Sequence, residues 1–367
     1  MLPVPTLFGN HLPPKPSPCL MLPIASRGGD LVYSVYSPAE DRILTFSGRG
    51  RGATTGNRRL VDDNAVVVGS GHGWLATFNA SGNHDLFLSH PISGQHIKLP
   101  PMIFTPFGFF LGPANKLWNV KIIISSSPGT EECRVVMSIY GLGLTGLAYC
   151  IPGRSTEWVP LCGLQETATN FVYSKRQHCF ICVSTPRIAI GSWDLRHHQP
   201  PRMVNCFKKE IKFVYKNCPL SREEIGRHEE VHYVVLEEES DDLYIVRRFV
   251  DYCTDFDGSY KTFDFLVFKV DRKRRKAIYT SAGPTMFLGT DQSFALSSSA
   301  EFPLIKPNSI YFTNPTHCLP ENGHAFIDIG IYDYKERTMT HHHCPFDVEG
   351  VPVGHVPGPL WFSPSNP

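Results

Sequence analysis

The chain has 367 residues, of which 42% are hydrophobic, so it can bury a large core. Its 35 basic and 34 acidic residues leave a formal net charge of +1, which excludes the broad positive field that non-specific nucleic-acid binding needs. No stretch approaches the ~18 consecutive apolar residues of a membrane-spanning helix. We therefore expect neither nucleic acid nor a membrane as a partner.

The N-terminal residues 1–19 are rich in Pro and predict a flexible arm. No basic stretch followed by an apolar one occurs there, and no Arg precedes Arg27, so we predict neither a secretory signal nor an Arg-rich transit peptide. The chain has 11 cysteines, and apolar strand patterns such as Cys179–Val183 predict reduced, buried thiols. The expected location is intracellular, in the cytoplasm or nucleus, with mitochondrion or chloroplast as the alternative.

From about residue 20 onward, a recurring unit consists of an apolar strand, a turn with Pro or Asp, and a short second strand. The turn residues of the six copies are Pro38, Pro91, Pro152, Asp194, Asp271 and Asp333. Their intervals are 53, 61, 42, 77 and 62 residues, and repeats at such spacings are typical of propellers or solenoids. We predict an all-β chain that forms a single β-propeller of about six or seven blades of short antiparallel strands.

The 77-residue interval contains a charged insert near residues 208–230. Ser221 and Glu224 have the spacing of a capping box and predict a helix over Leu220–Glu230. No Pro/Gly/Ser-rich linker divides the chain, so we interpret residues 20–367 as one propeller domain. Because the insert departs from the repeat, we predict partner contacts there before anywhere else.

Two glycine-rich motifs resemble known binding or catalytic loops. GLGLTG (Gly141–Gly146) matches a dinucleotide-binding fingerprint, but that site needs a following helix, and Pro152 with the strand-like residues before it favours a hairpin turn. GSGHG (Gly69–Gly73) lacks the Ser of a nucleophile elbow at its centre, which is Gly71. We interpret it as a tight backbone bend, with His72 forming local hydrogen bonds.

Potential metal ligands are too few for a site. Cys179 and Cys182 form a CxxC without a second pair, and a strand would direct the two thiols to opposite faces. His341 and His343, next to His342 and Cys344, offer too few ligands for a closed zinc site and favour a solvated strand. We therefore predict no catalytic, cofactor-binding or metal-binding residues, no cofactor, and leave the partner-binding residues unassigned.

The densest charge run is Arg272–Lys276. It is compatible with a nuclear-import signal or a phosphate-binding patch, but its place in the repeat favours a solvated hairpin turn. A second basic spot is predicted in the loop with Arg49, Arg51, Arg58 and Arg59. Neither basic segment has the interleaved aromatic residues of a single-strand binder.

Several segments, taken together and in order, carry a resemblance to one family. They are LMLP (Leu20–Pro23), GSGHGWLATFN (Gly69–Asn79), DLFLSHPISGQHIKLPPM (Asp85–Met102), GRSTEWVPL (Gly153–Leu161), SWDLR (Ser192–Arg196), FLGTDQSFALSSSAEFPLIKPNSIYFT (Phe287–Thr313), DIGIYDY (Asp328–Tyr334) and PLWFSPS (Pro359–Ser365). The chain resembles the plant KIB-type β-propeller family, an F-box-associated group. The resemblance covers the chain from about Leu20 to its C-terminus and implies a β-propeller.

In many members of that family an F-box contacts the Skp-type adaptor of a cullin ubiquitin ligase, and the propeller recruits the target. Only the residues before Leu20 precede LMLP here, and an F-box needs several tens of residues, so we expect a member that lacks the F-box. We do not expect this chain to contact the adaptor or cullin by itself. The predicted function is non-enzymatic recognition of a protein partner through blade loops, with indirect ligase recruitment as a finer role. The alternative is a hydrolase-like enzyme that uses the central channel of the propeller.

Overall fold

The structure is a computed structural model. Short strands make up most of it. Its described residues are 6–7, 17–21, 25–27, 30–48, 65–79, 85–101, 119–141, 144–161, 167–185, 188–196, 201–206, 210–252, 260–289, 292–296, 302–313, 328–341 and 360–362. The strands are rich in Val, Ile, Phe and Tyr, whose branched or aromatic side chains suit a pleated, half-buried surface. The predicted all-β class is confirmed.

The chain divides into two compact units, Met1–Cys162 with Val348–Pro367, and Gly163–Asp347. The first unit contains strands β1 (Thr6–Leu7), β2 (Cys19–Met21), β3 (Ala25–Arg27), β4 (Asp30–Ser37), β5 (Arg42–Gly48), β6 (Ala65–Gly71), β7 (Trp74–Asn79), β8 (Leu86–Ser89), β9 (His96–Lys98), β10 (Asn119–Ile124), β11 (Val135–Gly141), β12 (Leu144–Cys150), β13 (Val159–Pro160) and β28 (Leu360–Phe362). The organisation of residues 20–367 as one domain stays a prediction.

The second unit contains strands β14 (Thr167–Ser174), β15 (Cys179–Thr185), β16 (Ala189–Asp194), β17 (Arg202–Cys206), β18 (Lys212–Val214), β19 (Glu229–Leu236), β20 (Leu243–Tyr252), β21 (Tyr260–Asp271), β22 (Lys276–Tyr279), β23 (Thr285–Leu288), β24 (Phe294–Leu296), β25 (Ser309–Phe312), β26 (Gly330–Asp333) and β27 (Thr338–His341), and helix α1 (Arg222–Ile225).

Sheet A of the first unit has the order β1-β5-β4-β2-β28, and β3 also pairs with β4. The strand β28 pairs antiparallel with β2, with Trp361 opposite Leu20. Ser70 Oγ in β6 donates a 2.9 Å hydrogen bond to the backbone oxygen of Trp361. Within the segment predicted to be a flexible arm, β1 pairs in parallel with β5. Sheet A therefore combines early and late segments of the chain.

Sheet B consists of two antiparallel meanders, β6-β7-β8-β9 and β10-β11-β12-β13, which meet through β6 and β10. These two strands run parallel, with Gly69 opposite Ile122. A Cβ atom at Gly69 would lie 2.3 Å from the backbone oxygen of Ile122, so only glycine fits this approach. Buried Leu88, Met137 and Trp158 belong to the core of these meanders.

The second unit has three sheets: sheet C (β14-β15-β16-β17), sheet D (β18-β22-β21-β20-β19) and sheet E (β24-β23-β25-β26-β27). One face of sheet D shares a core with sheet C, through residues such as Ile190 and Phe268. The opposite face shares a core with sheet E, through residues such as Val246 and Phe312. Strands of alternating side chains thus bury both faces of sheet D at β19, β20 and β21.

A buried ion pair joins sheet D to the neighbourhood of sheet E. Arg248 on β20, which has 0% exposure, donates to the Asp328 carboxylate at 3.0 Å. Asp328 also accepts from the backbone N–H and the hydroxyl of Thr262, at 2.8 and 2.5 Å. Arg248 further donates to the backbone oxygen of Thr313, and its guanidinium lies 4.8 Å from the Phe312 ring centroid. The buried charge is therefore compensated by a carboxylate, polar acceptors and an aromatic face.

The repeat predicted from the sequence corresponds to hairpins of these sheets. Pro38, Pro91 and Pro152 lie in the turns that join β4 to β5, β8 to β9 and β12 to β13. Asp194, Asp271 and Asp333 are the last residues of β16, β21 and β26, at the turns that lead into the antiparallel partners β17, β22 and β27. The recurring strand–turn–strand unit is thereby confirmed. The number of blades, about six or seven from the repeat, stays a prediction.

Candidate functional site

The glycine-rich motifs are hairpin turns, as predicted. Within GLGLTG, Gly141 at the end of β11 pairs with Leu144 at the start of β12, and Leu142 and Gly143 lie outside the described residues. In GSGHG, β6 and β7 meet at a bend where His72 and Gly73 have φ of 51° and 78°. Positive φ at both central positions is typical of a tight hairpin turn.

The six cysteines whose side chains the structure describes are thiols, and five of them are buried. Cys179 and Cys182 both lie on β15 and, because strand residues alternate, are directed to opposite faces of sheet C, as predicted. Burial raises the pKa of Cys19 to about 12, and the pKa of both Cys133 and Cys179 to about 11. Thiols with such pKa values are poor nucleophiles at neutral pH.

Two other predicted features fall largely outside the described residues. His341 ends β27, whereas His342, His343 and Cys344 are not described. The basic loop with Arg49, Arg51, Arg58 and Arg59 also lies outside the described ranges. Within the ranges that are described, His, Cys, Asp and Glu side chains form no group of three or more that could hold a metal ion.

The charged insert is anchored to sheet D. Its strand β18 pairs in parallel with β22, and the Lys212 N–H donates a 3.1 Å hydrogen bond to the backbone oxygen of Arg275. Next to it, the Phe213 ring contacts Phe268 edge-on at 4.8 Å between centroids. Leu220, further along, is buried in the core that sheets C and D share. One side of the insert is therefore part of the fold, and the other side is available for contacts.

The helix predicted over Leu220–Glu230 is wrong in length, because α1 ends at Ile225. Gly226 follows, and glycine favours the end of a helix. Glu229 already belongs to β19, so pairing within sheet D replaces helix at this point. The predicted capping box is confirmed, since Ser221 N–H donates to the Glu224 carboxylate at 2.7 Å and Glu224 N–H donates to Ser221 Oγ at 3.2 Å.

An ionic cluster holds the insert against β19 and β20. Arg247 Nε donates to Glu230 at 2.9 Å, and the same guanidinium donates to the Tyr215 hydroxyl of the insert. His232 Nε2 lies 3.3 Å from Glu230 Oε2, the same oxygen that accepts from Arg247 Nε. Burial alone would raise the pKa of Glu230, but hydrogen bonds from His232 and Arg247, together with the charge of Arg247, lower it to about 2. At neutral pH Glu230 is therefore ionised, and the cluster anchors the insert to β19 and β20 through charged hydrogen bonds.

The sequence's densest charge run is confirmed as a hairpin turn between β21 and β22. Six of the eight residues in Lys269–Lys276 are Lys or Arg, and one, Asp271, is acidic. Part of this charge is compensated: Lys269 pairs with Asp242 at 2.5 Å, Arg272 with Asp241 at 3.4 Å and Arg274 with Asp271 at 3.7 Å. Lys273 and Lys276 leave a positive surface next to the insert.

Parallel pairing places this run and the insert on one exposed face. In the register of β18 and β22, Lys212 lies beside Lys276, and Val214 lies beside Ile278. Paired residues of neighbouring strands point to the same face of a sheet. Lys212 and Lys276 are exposed, and Ile278 is 38% exposed. We call this surface, together with Lys273 in the turn, the basic edge.

Within the described part of the chain, Lys212, Lys273 and Lys276 make no ion pair, in contrast to Lys269. Sequence inspection had identified the insert and the charge run separately, but not their contact. The only local signal was the strand-like KFV of β18, which is too short to reveal its partner.

The sequence model of the KIB1-4 beta-propeller family matches residues 36–333. The chain belongs to the KIB1-4 beta-propeller family. The resemblance inferred from the sequence segments is thereby confirmed, and a β-propeller is the fold of this KIB1-4 chain. No curated protein matches it in sequence.

Solved structures give remote likenesses to the KIB1-4 chain. A luciferin-regenerating enzyme is 7% identical, with 95% of this chain and 92% of that chain covered and a TM-score of 0.35. KlAtg21 in complex with the coiled-coil of AgAtg16 is 10% identical, with 71% and 97% covered and a TM-score of 0.28. The tricorn protease is also 10% identical, with 72% of this chain but 22% of that chain covered and a TM-score of 0.30. Separately, no helix in the described ranges has the length and hydropathy to cross a membrane.

Proposed function

We propose that this KIB1-4 chain is a non-enzymatic protein-interaction β-propeller and that its partner binds at the basic edge. The observation that carries the proposal is the set of three exposed lysines beside an exposed isoleucine, on strands held by the sheet D core. Loops and edges held on a rigid scaffold are well suited to recognition, because little order is lost on binding. The predicted contact region at the insert is included in this surface, since β18 supplies Lys212.

A site-specific crosslinking experiment tests this proposal. A photo-reactive amino acid replaces Ile278, and the purified chain is illuminated in plant extract. The matched control carries the same group at Leu304, which is 56% exposed in the segment before β25. We expect a discrete protein adduct from position 278 and none from position 304. Equal adducts from both positions, or none from position 278, would refute partner binding at the basic edge.

A finer role as an indirect recruitment module for a ubiquitin ligase rests on the family resemblance. Co-purification of the adduct from position 278 with a Skp-type adaptor or a cullin would support that role. Its absence from several independent purifications would restrict the proposal to partner binding. The hydrolase alternative predicts substrate turnover by the purified chain, and such turnover would contradict a purely non-enzymatic role.

A further inference from the structure

We infer that the basic edge recognises an extended acidic protein segment that carries an aliphatic residue two positions from an acidic one. This inference rests on the proposed function, because it names the chemistry of the partner. Its first support is the concentration of charge. The whole chain has a net charge of +1. Yet three exposed lysines of the basic edge, Lys212, Lys273 and Lys276, lie outside the ion pairs that Asp241, Asp242 and Asp271 form with Arg272, Lys269 and Arg274. An acidic ligand is therefore attracted to this edge far more than to the average surface.

The second support is the arrangement of the side chains. Lys276 and Ile278 are two positions apart on β22, so they share a face at a separation of roughly 6.6 Å. Lys212 and Val214 repeat the same pair on β18, in the same direction. The parallel register therefore forms a cationic end, with two lysines side by side, and an aliphatic end beside it.

An extended peptide has the same repeat, because its side chains on one face also recur every second residue. An acidic side chain over Lys212 and Lys276 places the side chain two positions further over Val214 and Ile278. An aliphatic residue at that position covers apolar surface that is otherwise in water. The pattern of charge and apolar surface thus selects both the composition and the conformation of the ligand.

A protein segment fits this face better than a nucleic acid. Single-stranded nucleic acids bind to basic surfaces that also provide aromatic rings for base stacking. The exposed face of β18 and β22 has aliphatic residues at the corresponding positions. The exposed ring of Phe263 lies on β21 six positions before Lys269, roughly 20 Å along the strand. Aliphatic side chains beside lysines can pack against an aliphatic residue of an acidic peptide, but they provide no aromatic ring on which a nucleic-acid base could stack.

Binding of a defined probe to the full-length chain tests the inference. The probe is a fluorescein-labelled peptide, Gly-Glu-Ser-Ile-Ser-Glu-Ser-Ile-Gly, and the measurement is fluorescence anisotropy at low and moderate salt. The variant Lys212→Glu/Lys276→Glu reverses the charge of the cationic end. The matched control is Lys335→Glu, because Lys335 is an exposed lysine in the turn between β26 and β27. Circular dichroism confirms that each variant is folded.

We expect the double reversal to weaken peptide binding by about tenfold or more, and Lys335→Glu to leave it nearly unchanged. Ile278→Ser should weaken it without altering the salt dependence, because it removes the apolar contact alone. Lys335→Glu changes the net charge by −2 and the double variant changes it by −4, so a loss of about threefold or more by Lys335→Glu would overturn the inference, since general charge would then account for the weakening. The inference would also be overturned if an oligothymidine strand bound more tightly than the peptide and lost this binding in the same double variant. That result would assign the basic edge to nucleic acid.

The two proposals fail in distinguishable ways. If the group at position 278 crosslinks a partner in extract and the acidic peptide does not bind, the inferred chemistry is wrong and the interaction role stands. If the peptide binds and no partner crosslinks, the proposed function is wrong. If the lysines serve only to prevent edge-to-edge aggregation, the double reversal, which keeps both positions charged, leaves self-association and peptide binding unchanged, and this result contradicts the inference.

Discussion

The buried pair of Arg248 and Asp328 gives the sharpest test of how the second unit is held together. Replacing Asp328 by Asn keeps the shape of the side chain and removes its charge, while Arg248 keeps its charge at 0% exposure. Removing one member of a buried ion pair typically costs about 3–5 kcal/mol, because the remaining charge has lost its compensation. The Thr313 oxygen and the Phe312 ring still contact the guanidinium, so we expect the lower end, about 3 kcal/mol.

Hydrogen exchange followed by mass spectrometry measures this change in the relevant region. A loss of about 3 kcal/mol corresponds to a roughly hundredfold faster exchange of those amides in β20 and β21 that exchange through opening of the unit. The control is the double variant Arg248→Met/Asp328→Leu, which removes both charges from a site lined by Phe265 and Phe312. Because desolvation of both charges is then avoided, we expect most of the protection to return.

Two results would refute this reasoning. A change of less than about tenfold in exchange for Asp328→Asn would mean that the carboxylate's charge contributes little. A double variant less protected than the single one would mean that shape and hydrogen bonding, not uncompensated charge, determine the cost. In that case the network of Thr262, Arg248 and Asp328 would stabilise the fold through its hydrogen-bond geometry.

Three further predictions concern other parts of the molecule. Gly69→Ala should lower the unfolding free energy by about 1–3 kcal/mol, because the added Cβ would lie 2.3 Å from the Ile122 backbone oxygen. A Cβ at Gly129 would have no atom within 4 Å, so the control Gly129→Ala should change the unfolding free energy little. Thermal unfolding of the two variants measures the difference. The stability from Glu230, whose pKa is lowered from 4.5 to about 2, should be complete above pH 4.5 and lost as the pH falls towards 2. Denaturation at a series of pH values should show this loss of stability. Glu230→Gln should make the stability less dependent on pH in this range and should lower the unfolding free energy by about 1.5–3 kcal/mol at neutral pH. Among the six cysteines whose side chains the structure describes, half-buried Cys218 should react first with iodoacetamide, and mass spectrometry that found a fully buried thiol modified earlier would contradict this order.

Local chemistry explains what could be predicted from the sequence. Pro or Asp at the turn of each repeat ends one strand and reverses the chain within a few residues, so the hairpins around Pro38 or Asp333 were recognisable without a structure. The same holds for GLGLTG, because Pro152 and the strand pattern before it exclude a following helix. The capping box of Ser221 and Glu224 was also correct, since both hydrogen bonds involve residues three positions apart.

The length of the helix at Ser221 was not predictable in the same way. Charged residues up to Glu230 are compatible with helix as well as with strand, so composition alone could not place its end. Pairing with β20 sets the point at which the strand begins, because β20 forms backbone hydrogen bonds with β19 from Glu229 onward. Pairing with a neighbouring strand outweighed a weak local preference.

Local patterns specify the repeated hairpins, the all-β class and the family, because alternation of side chains and turn chemistry act over a few residues. In contrast, the packing of distant segments places β18 of the insert beside the charge run of β21 and β22, and brings Arg248 to Asp328, 80 positions away. Such contacts depend on which faces are buried together when distant segments pack, and no local pattern specifies that choice. The basic edge exists for this physical reason, since Lys212 and Lys276 form one surface only after the strands pair.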